Sequence, residues 1–181
     1  LLSQLNATLA LLAANDSLPG RSNWRTLMGW GVVECKRARR FGHPLSVMVV
    51  DIDLFKAVND GWGHLAGDRV ICAVAQTCLA RTRQGVDTVA RYGGEEFVLV
   101  LPETGMHDAL HLAESLRQAV AARQVLVGDE GVTVCVTVSI GVATLHQGSD
   151  LSFEDLVKQA DKALYQAKAT GRNNVQCCAG C

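Results

Sequence analysis

Apolar positions recur along the chain with two periods, and the switches between them predict the order of elements. Residues 24–41 have helical spacing and end in the basic run "KRARR", whose cations complement the negative end of a helix. "LSVMVVDID" (45–53) is a short β-branched run closed by acids. It predicts a buried strand with Asp51 and Asp53 at its C-terminal end. "LAGDRVICAVAQTCLART" (65–82) returns to helical spacing. "TVARY" and "EEFVLVLP" flank Gly93–Gly94 and predict a β-hairpin, with Glu95 opening its second strand. "MHDALHLAESLRQAVAAR" (106–123) predicts an amphipathic helix. "GVTVCVTVSIGVATL" (131–145) alternates and is long enough for one bent or central strand. "SFEDLVKQADKALYQAKATGRN" (152–173) opens with a capping box, Ser152 to Asp155, and runs helical to a C-cap at Gly171. The order α, β, α, β-hairpin, α, β, α predicts one α+β domain, with helices packed over a mostly antiparallel sheet.

Ahead of this lie Leu2, Leu5, Leu9 and Leu12, an a/d seam within residues 1–13. Two readings stand side by side: a helix lying on its own domain, or the end of a signalling helix from an upstream domain. "NDSLPGRSN" (15–23) is turn-rich and marks a boundary. The expected division is a linker at 1–14, a domain at 15–175 and a tail at 176–181. The chain begins on Leu rather than Met, so a fragment of a longer protein is expected.

The 181 residues suffice for one sizeable core. A formal net charge of −1 carries no basic footprint for a nucleic-acid duplex, although a small phosphorylated ligand needs only a few local cations. No apolar run approaches the roughly 20 residues that span a bilayer. The seven cysteines are an odd number, and several sit inside apolar runs as small hydrophobes, which fits a reducing compartment. Cys178 and Cys181 have C-x-x-C spacing, but no further zinc ligands are evident nearby, so the end of the chain reads as a reduced tail.

The candidate chemistry gathers around "RYGGEEF" (91–97) and "DIDLFKAVNDGWGHLAGD" (51–68). If the strands ending at Asp51 and starting near Glu95 pair, their carboxylates converge. Two carboxylates completed by waters and phosphate oxygens are the usual protein part of a Mg²⁺ site. Taken alone, Gly-Gly-Glu-Glu favours the reading of solvated acids beside a hairpin turn. Downstream, Lys56 can reach a phosphate as a point charge. Asn59 offers a donor and an acceptor. Asp68 is acceptor-only, matching the N1–H and exocyclic amine of guanine. Lys168 and Arg172, four apart, are expected to share one helical face, as phosphate ligands or as an ordinary solvated pair.

With "SIGVA" (139–143) and "ADKALYQAKATGRN" (160–173), these blocks resemble the GGDEF family of diguanylate cyclases in its GGEEF form, over roughly residues 15–175. The resemblance implies a fold like the palm of nucleotide cyclases and polymerases, with a ferredoxin-like core. It implies condensation of two GTP into cyclic di-GMP and two pyrophosphates, each domain of a homodimer presenting one GTP. It implies Mg²⁺, or Mn²⁺ in its place, held by Asp51, the Ile52 carbonyl, Glu95 and Glu96. Glu95 is the candidate to activate the 3′-hydroxyl, and Lys56 to stabilise the transition state. The backbone at Leu54 and Phe55 would lie near the phosphates, and Gly93 and Gly94 would let the hairpin pass close to the nucleotide. Asn59 and Asp68 would read guanine, and Lys168 and Arg172 would hold the triphosphate end. The family also implies a cytoplasmic domain under an upstream sensory or regulatory domain, with a membrane anchor in the parent allowed, and no nucleic-acid partner.

Two departures stand out. "DSLPGRSNWR" (16–25) carries Pro19 and Arg21 where members have Thr and Leu. The inhibitory product site, R-x-x-D in many members, is "QGVD" (84–87) here, with Asp87 kept and Gln84 in place of the arginine. Gln cannot supply the charged fork that grips a phosphate. Arg83 and Arg81 are near in sequence but are expected to point differently. The alternative reading is a weak GTP- or cyclic di-GMP-binding sensor or dimerisation module. Such domains usually lose the glutamates that this chain keeps.

Overall fold

The apolar run at 45–53 forms the axis of the sheet. Strand β1 (Leu45–Ile52) is buried at every position and pairs on both sides. The computed structural model describes residues 21–128 and 131–178; the leucine seam of 1–13, the first half of the 16–25 segment and Cys181 lie outside them. Helix α1 (Arg21–Phe41) precedes β1. After it come α2 (Phe55–Trp62), α3 (His64–Arg81), the hairpin β2 (Thr88–Gly93) and β3 (Glu96–Pro102), and α4 (Met106–Ala121). The chain continues through β4 (Val125–Leu126), β5 (Thr133–Val134), β6 (Val138–Leu145), α5 (Phe153–Ala169) and β7 (Val175–Cys177).

The five-stranded sheet has the order β2-β3-β1-β6-β7. Its pairings are antiparallel except β6 with β7, which is parallel. Alternation along β1 divides the core. Met48, Val50 and Ile52 face α3 and α4, with Val70, Val74, Leu116 and Ile140. Leu45, Val47 and Val49 face α1 and α5, with Leu27, Phe153, Leu156 and Leu164. This is the expected α+β class.

Four details differ from what local pattern predicts. The alternating run at 131–145 is two strands, because β5 leaves the main sheet to pair with β4. Residues 55–62, whose periodicity marks no element, form the short helix α2. Glu95 lies in the turn, since Gly93 pairs with Glu96, and the second strand opens at Glu96. Sheet pairing extends past residue 175, where a tail is expected: Gln176 and Cys177 lie in β7, and the Cys178 N–H donates to the Val142 carbonyl at 3.1 Å. The capping box is present, with Ser152 Oγ accepting from the Asp155 N–H. The C-cap is Thr170, with Gly171 directly after it at φ 114°. Among the described residues no helix is long and apolar enough to cross a membrane.

Candidate active site

The register of β1 on β3 decides where the acids go. Asp51 lies opposite Glu96, and the Ile52 N–H donates to the Glu95 carbonyl at 3.2 Å. Both Asp51 and Glu96 continue the alternation that faces α5. Lys168, in the last turn of α5, reaches the same place and pairs with Asp51 Oδ2 at 2.7 Å. Burial raises the Asp51 carboxyl above its ordinary range, opposed by Lys168 and reinforced by the charges of Glu95 and Asp53. Burial likewise raises Glu96, with Asp51 the largest of its neighbouring charges. A cluster of acids held partly out of water favours a cation among them.

The donor set fits a hard divalent ion. Its side-chain groups are carboxylate oxygens, which suit Mg²⁺ or Mn²⁺ rather than a soft metal. Among the described residues no three or more His, Cys, Asp or Glu side chains surround one point. A cation at this sheet end would therefore rest on a few carboxylates and take further oxygens from elsewhere, as Mg²⁺ commonly does.

Asp53, two residues past Asp51, carries no role in the sequence motif. It is buried and accepts three hydrogen bonds: from Thr137 Oγ1 at 2.6 Å, Ser139 Oγ at 2.6 Å and the Asn173 N–H at 3.0 Å. It ties the end of β1 to β6 and to the segment after α5. Leu54 then turns left-handed at φ 55° and starts α2. A leucine in that conformation is strained, and such strain gathers at functional sites. The turn aims the opening N–H groups of α2, at Phe55 and Lys56, along the helix start, where they have no acceptor within the helix. Lys56 is exposed in this first turn.

Asn59 and Asp68 come together where α2 crosses α3. A Cβ added to Gly67 would lie 2.0 Å from Asn59 Oδ1 and 3.0 Å from the Phe55 ring, so only glycine leaves room for the Asn59 side chain where it sits. Asn59 Oδ1 is buried with no hydrogen-bond partner. Asp68, next in sequence to Gly67, is exposed. Arg91 links this region to the hairpin. Its Nε and Nη2 donate to the Gly94 carbonyl at 2.9 and 2.6 Å, and its charge interacts with both Asp68 and Glu95. Arg91 is a bracing residue that sequence reasoning missed. The only local signal is a charge directly before an aromatic and two glycines.

Lys168 and Arg172 do not share a helical face. The helix ends at Ala169, and Arg172 sits beyond it at φ 60°, its N–H on the Ala167 carbonyl at 3.0 Å. Neighbouring Asn173 is fastened by Arg117 Nη1 on its Oδ1 at 2.7 Å.

At the other end of β2, Gln84 is exposed while the Asp87 side chain is only 2% exposed. Arg83 encloses Asp87, its N–H and Nη2 each donating at 2.7 Å. The same Nη2 also donates to the Pro102 carbonyl at 2.7 Å and to Thr104 Oγ1 at 2.9 Å. Arg81 points elsewhere, donating to Ser115 Oγ.

The chain is similar to known proteins over most of its length. The family model "Diguanylate cyclase, GGDEF domain" matches residues 13–174. The chain is 42% identical over 164 residues to the response regulator PleD of Caulobacter vibrioides, covering 91% of this chain and 36% of that protein. It is 39% identical over 179 residues to a diguanylate cyclase of Vibrio cholerae, covering 97% of this chain and 52% of the relative. It thus spans between about a third and about half of the length of these relatives. Among solved structures, the GGDEF domain of DgcB from Caulobacter crescentus in complex with c-di-GMP superposes with a TM-score of 0.81 at 32% identity, covering 88% of this chain and 89% of that one. The active GGEEF domain of a Vibrio cholerae diguanylate cyclase gives 0.78 at 35% identity, covering 87% and 97%. With the family's motif on a hairpin whose Glu96 lies opposite Asp51 across the sheet, the chain belongs to the diguanylate cyclase GGDEF domain family.

Proposed function

We propose that the chain is the catalytic domain of a diguanylate cyclase, joining two GTP into cyclic di-GMP with release of two pyrophosphates. The observation that carries this reading is the pairing of Asp51 with Glu96, which sets the Gly-Gly turn and Glu95 at the end of β1. Asp51, the Ile52 carbonyl, Glu95 and Glu96 would hold Mg²⁺, which when bound supplies neutralisation of the phosphate charge. The residues of the chain then bind and orient. Asn59 Oδ1, buried without a donor, and the acceptor-only Asp68 receive the N–H groups of guanine. The first N–H groups of α2 and Lys56 face the phosphates. Lys168, now on Asp51, and Arg172 stand at the same end for the remaining phosphate charge.

Each domain holds one GTP, so the 3′-hydroxyl of one nucleotide must come from a facing second domain. A P–O bond forms at the α-phosphorus, the bond to pyrophosphate breaks, and the hydroxyl proton passes to a carboxylate placed as Glu95 is. Catalysis on this reading is positioning plus charge stabilisation.

Incubation of the protein with Mg²⁺ and GTP across a dilution series tests both parts. Cyclic di-GMP is expected, with specific activity rising with protein concentration while dimers are sparse. No cyclic di-GMP at any concentration would overturn the assignment. Activity per chain independent of dilution, with a monomer by light scattering, would overturn the two-domain mechanism.

The Arg83–Asp87 pairing supports an enzyme free of product inhibition at the R-x-x-D position. Gln84 lacks the fork, and Asp87 is enclosed by Arg83. One lost charged contact corresponds to about 1.5–3 kcal/mol, or roughly tenfold or more in affinity. Calorimetric titration of cyclic di-GMP is expected to show weak or absent binding there, strengthened in Gln84→Arg. Tight binding by the native chain that is lost in Asp87→Ala would show a working site. The same pairing counts against a product sensor.

A further inference from the structure

His107 and His111 lie one turn apart on α4, with Nε2 atoms 3.2 Å apart and ring centroids 4.5 Å apart at 68°. The two side chains are exposed, and neither belongs to the cyclase chemistry. Helix α4 starts just after β3 ends at Pro102, at the sheet end opposite the Gly-Gly turn. The Nδ1 of His107 lies 3.3 Å from Asp108 Oδ1. An ionised carboxylate only accepts, so Nδ1 carries the proton and the lone pair is left on Nε2. A carboxylate behind an imidazole in this way is the common support of a metal-binding histidine, fixing its tautomer and raising its basicity.

We propose that His107 and His111 form a two-imidazole chelate for a borderline divalent transition metal such as Zn²⁺, Ni²⁺ or Cu²⁺, with Asp108 orienting His107. A metal about 2.0–2.1 Å from each nitrogen would see them at an angle of ~100°, close to the tetrahedral value. Imidazole ligands suit these ions and not Mg²⁺, so the site is chemically separate from the acids at the hairpin. With the His107 proton on Nδ1, its Nε2 accepts from His111 Nε2–H, and chelation needs only that this proton move to Nδ1 or leave. With no three His, Cys, Asp or Glu grouped around one point among the described residues, the remaining coordination positions stay open to water. The side chains of His107 and Asp108 are 84% and 78% exposed, so the ion reaches them without opening the fold.

Calorimetric titration of Zn²⁺ into the full chain, with Mg²⁺ in excess to occupy the carboxylates, tests this. The native chain is expected to show a saturable Zn²⁺ site that His107→Gln and His111→Gln each weaken by about tenfold or more, since either change halves the chelate. Asp108→Asn is expected to weaken it by about tenfold, as loss of a supporting carboxylate does. Electron paramagnetic resonance of the Cu²⁺-loaded chain should report two imidazole nitrogens, falling to one in either histidine variant. These side chains are exposed, so the variants should melt with the native protein, and at one Zn²⁺ concentration the rise in Tm should be larger in the native chain than in any of them. Equal Zn²⁺ binding by the native chain and both histidine variants, or no Zn²⁺ binding by the native chain, would overturn the proposal.

Discussion

Glu95→Gln and Asp51→Asn are each expected to lower cyclic di-GMP formation by at least about 10²–10³-fold at saturating GTP and Mg²⁺, the scale on which loss of one charge-stabilising group acts. The two substitutions fail for different structural reasons. Glu95 sits in a two-residue turn, and its backbone carbonyl, not its carboxylate, accepts from the Ile52 N–H. Gln keeps that bond and removes only the charge. Asp51 is buried opposite Glu96 with Lys168 on its Oδ2. Asn keeps the volume but leaves the half-buried ammonium without its partner and removes the deepest acid of the group. Neither change opens a cavity, so Glu95→Gln should melt close to the native protein, and Asp51→Asn somewhat below it because Lys168 loses its partner. Binding of Mg²⁺ to the native chain alone should raise Tm, because an ion that binds only the folded state stabilises it by mass action. The check is product formation across a Mg²⁺ titration, with thermal melts of the same samples. Near-native turnover in either variant at saturating Mg²⁺ would remove that residue from the metal site.

Gly141→Ala should destabilise the fold severely, although it adds a single methyl group. Gly141 lies mid-way along β6, opposite Val49 of β1, where α5 crosses the sheet. A Cβ there would lie 2.0 Å from the Ala160 carbonyl oxygen, 2.3 Å from the Leu164 nitrogen and 2.9 Å from the Leu164 Cα. All three atoms are backbone, so no side chain can rotate away. Relief requires moving α5 off the sheet, which loosens Phe153, Leu156 and Leu164 and pulls Lys168 from Asp51. Overpacking typically costs about 1–3 kcal/mol, and with only backbone to move the upper end, about 3 kcal/mol, is expected here. For a domain of this size that is roughly 6–12 °C in Tm. Gly29→Ala is the contrast: in α1 a Cβ at this position meets nothing within 4 Å, and alanine favours the helix. Differential scanning calorimetry of the pair checks the argument. A Gly141→Ala melt within about 2 °C of native would show that α5 is not seated on the sheet at this glycine.

Local pattern was enough for the elements whose cause is local. The 3.6-residue spacing of apolar positions marked α3, α4 and α5, and Ser152 with Asp155 marked the start of α5, because a capping box is a contact between residues three apart. The β-branched apolar run at 45–53, closed by acids, announced a buried strand. The motif residues Asp51, Lys56, Asn59, Asp68 and Glu95 were legible by type and spacing. What they face was not, because facing depends on strand register and helix crossing. Only the pairing of β1 with β3 brings Asp51 to Glu96, and only the contact of α2 with α3 at Gly67 buries Asn59 Oδ1. The end of α5 at Ala169 separates Lys168 from Arg172, which a four-residue spacing had placed on one face. The alternation of 131–145 could not show that β5 would leave the sheet for β4, since period two is the same in either sheet. The acid of "QGVD" was visible in the sequence. Its enclosure by Arg83, whose other bonds reach Pro102 and Thr104 in a distant part of the chain, is a tertiary fact. Sequence thus determined which chemical groups the chain carries and the local geometry that needs only near neighbours, while packing between distant segments decided which of those groups meet.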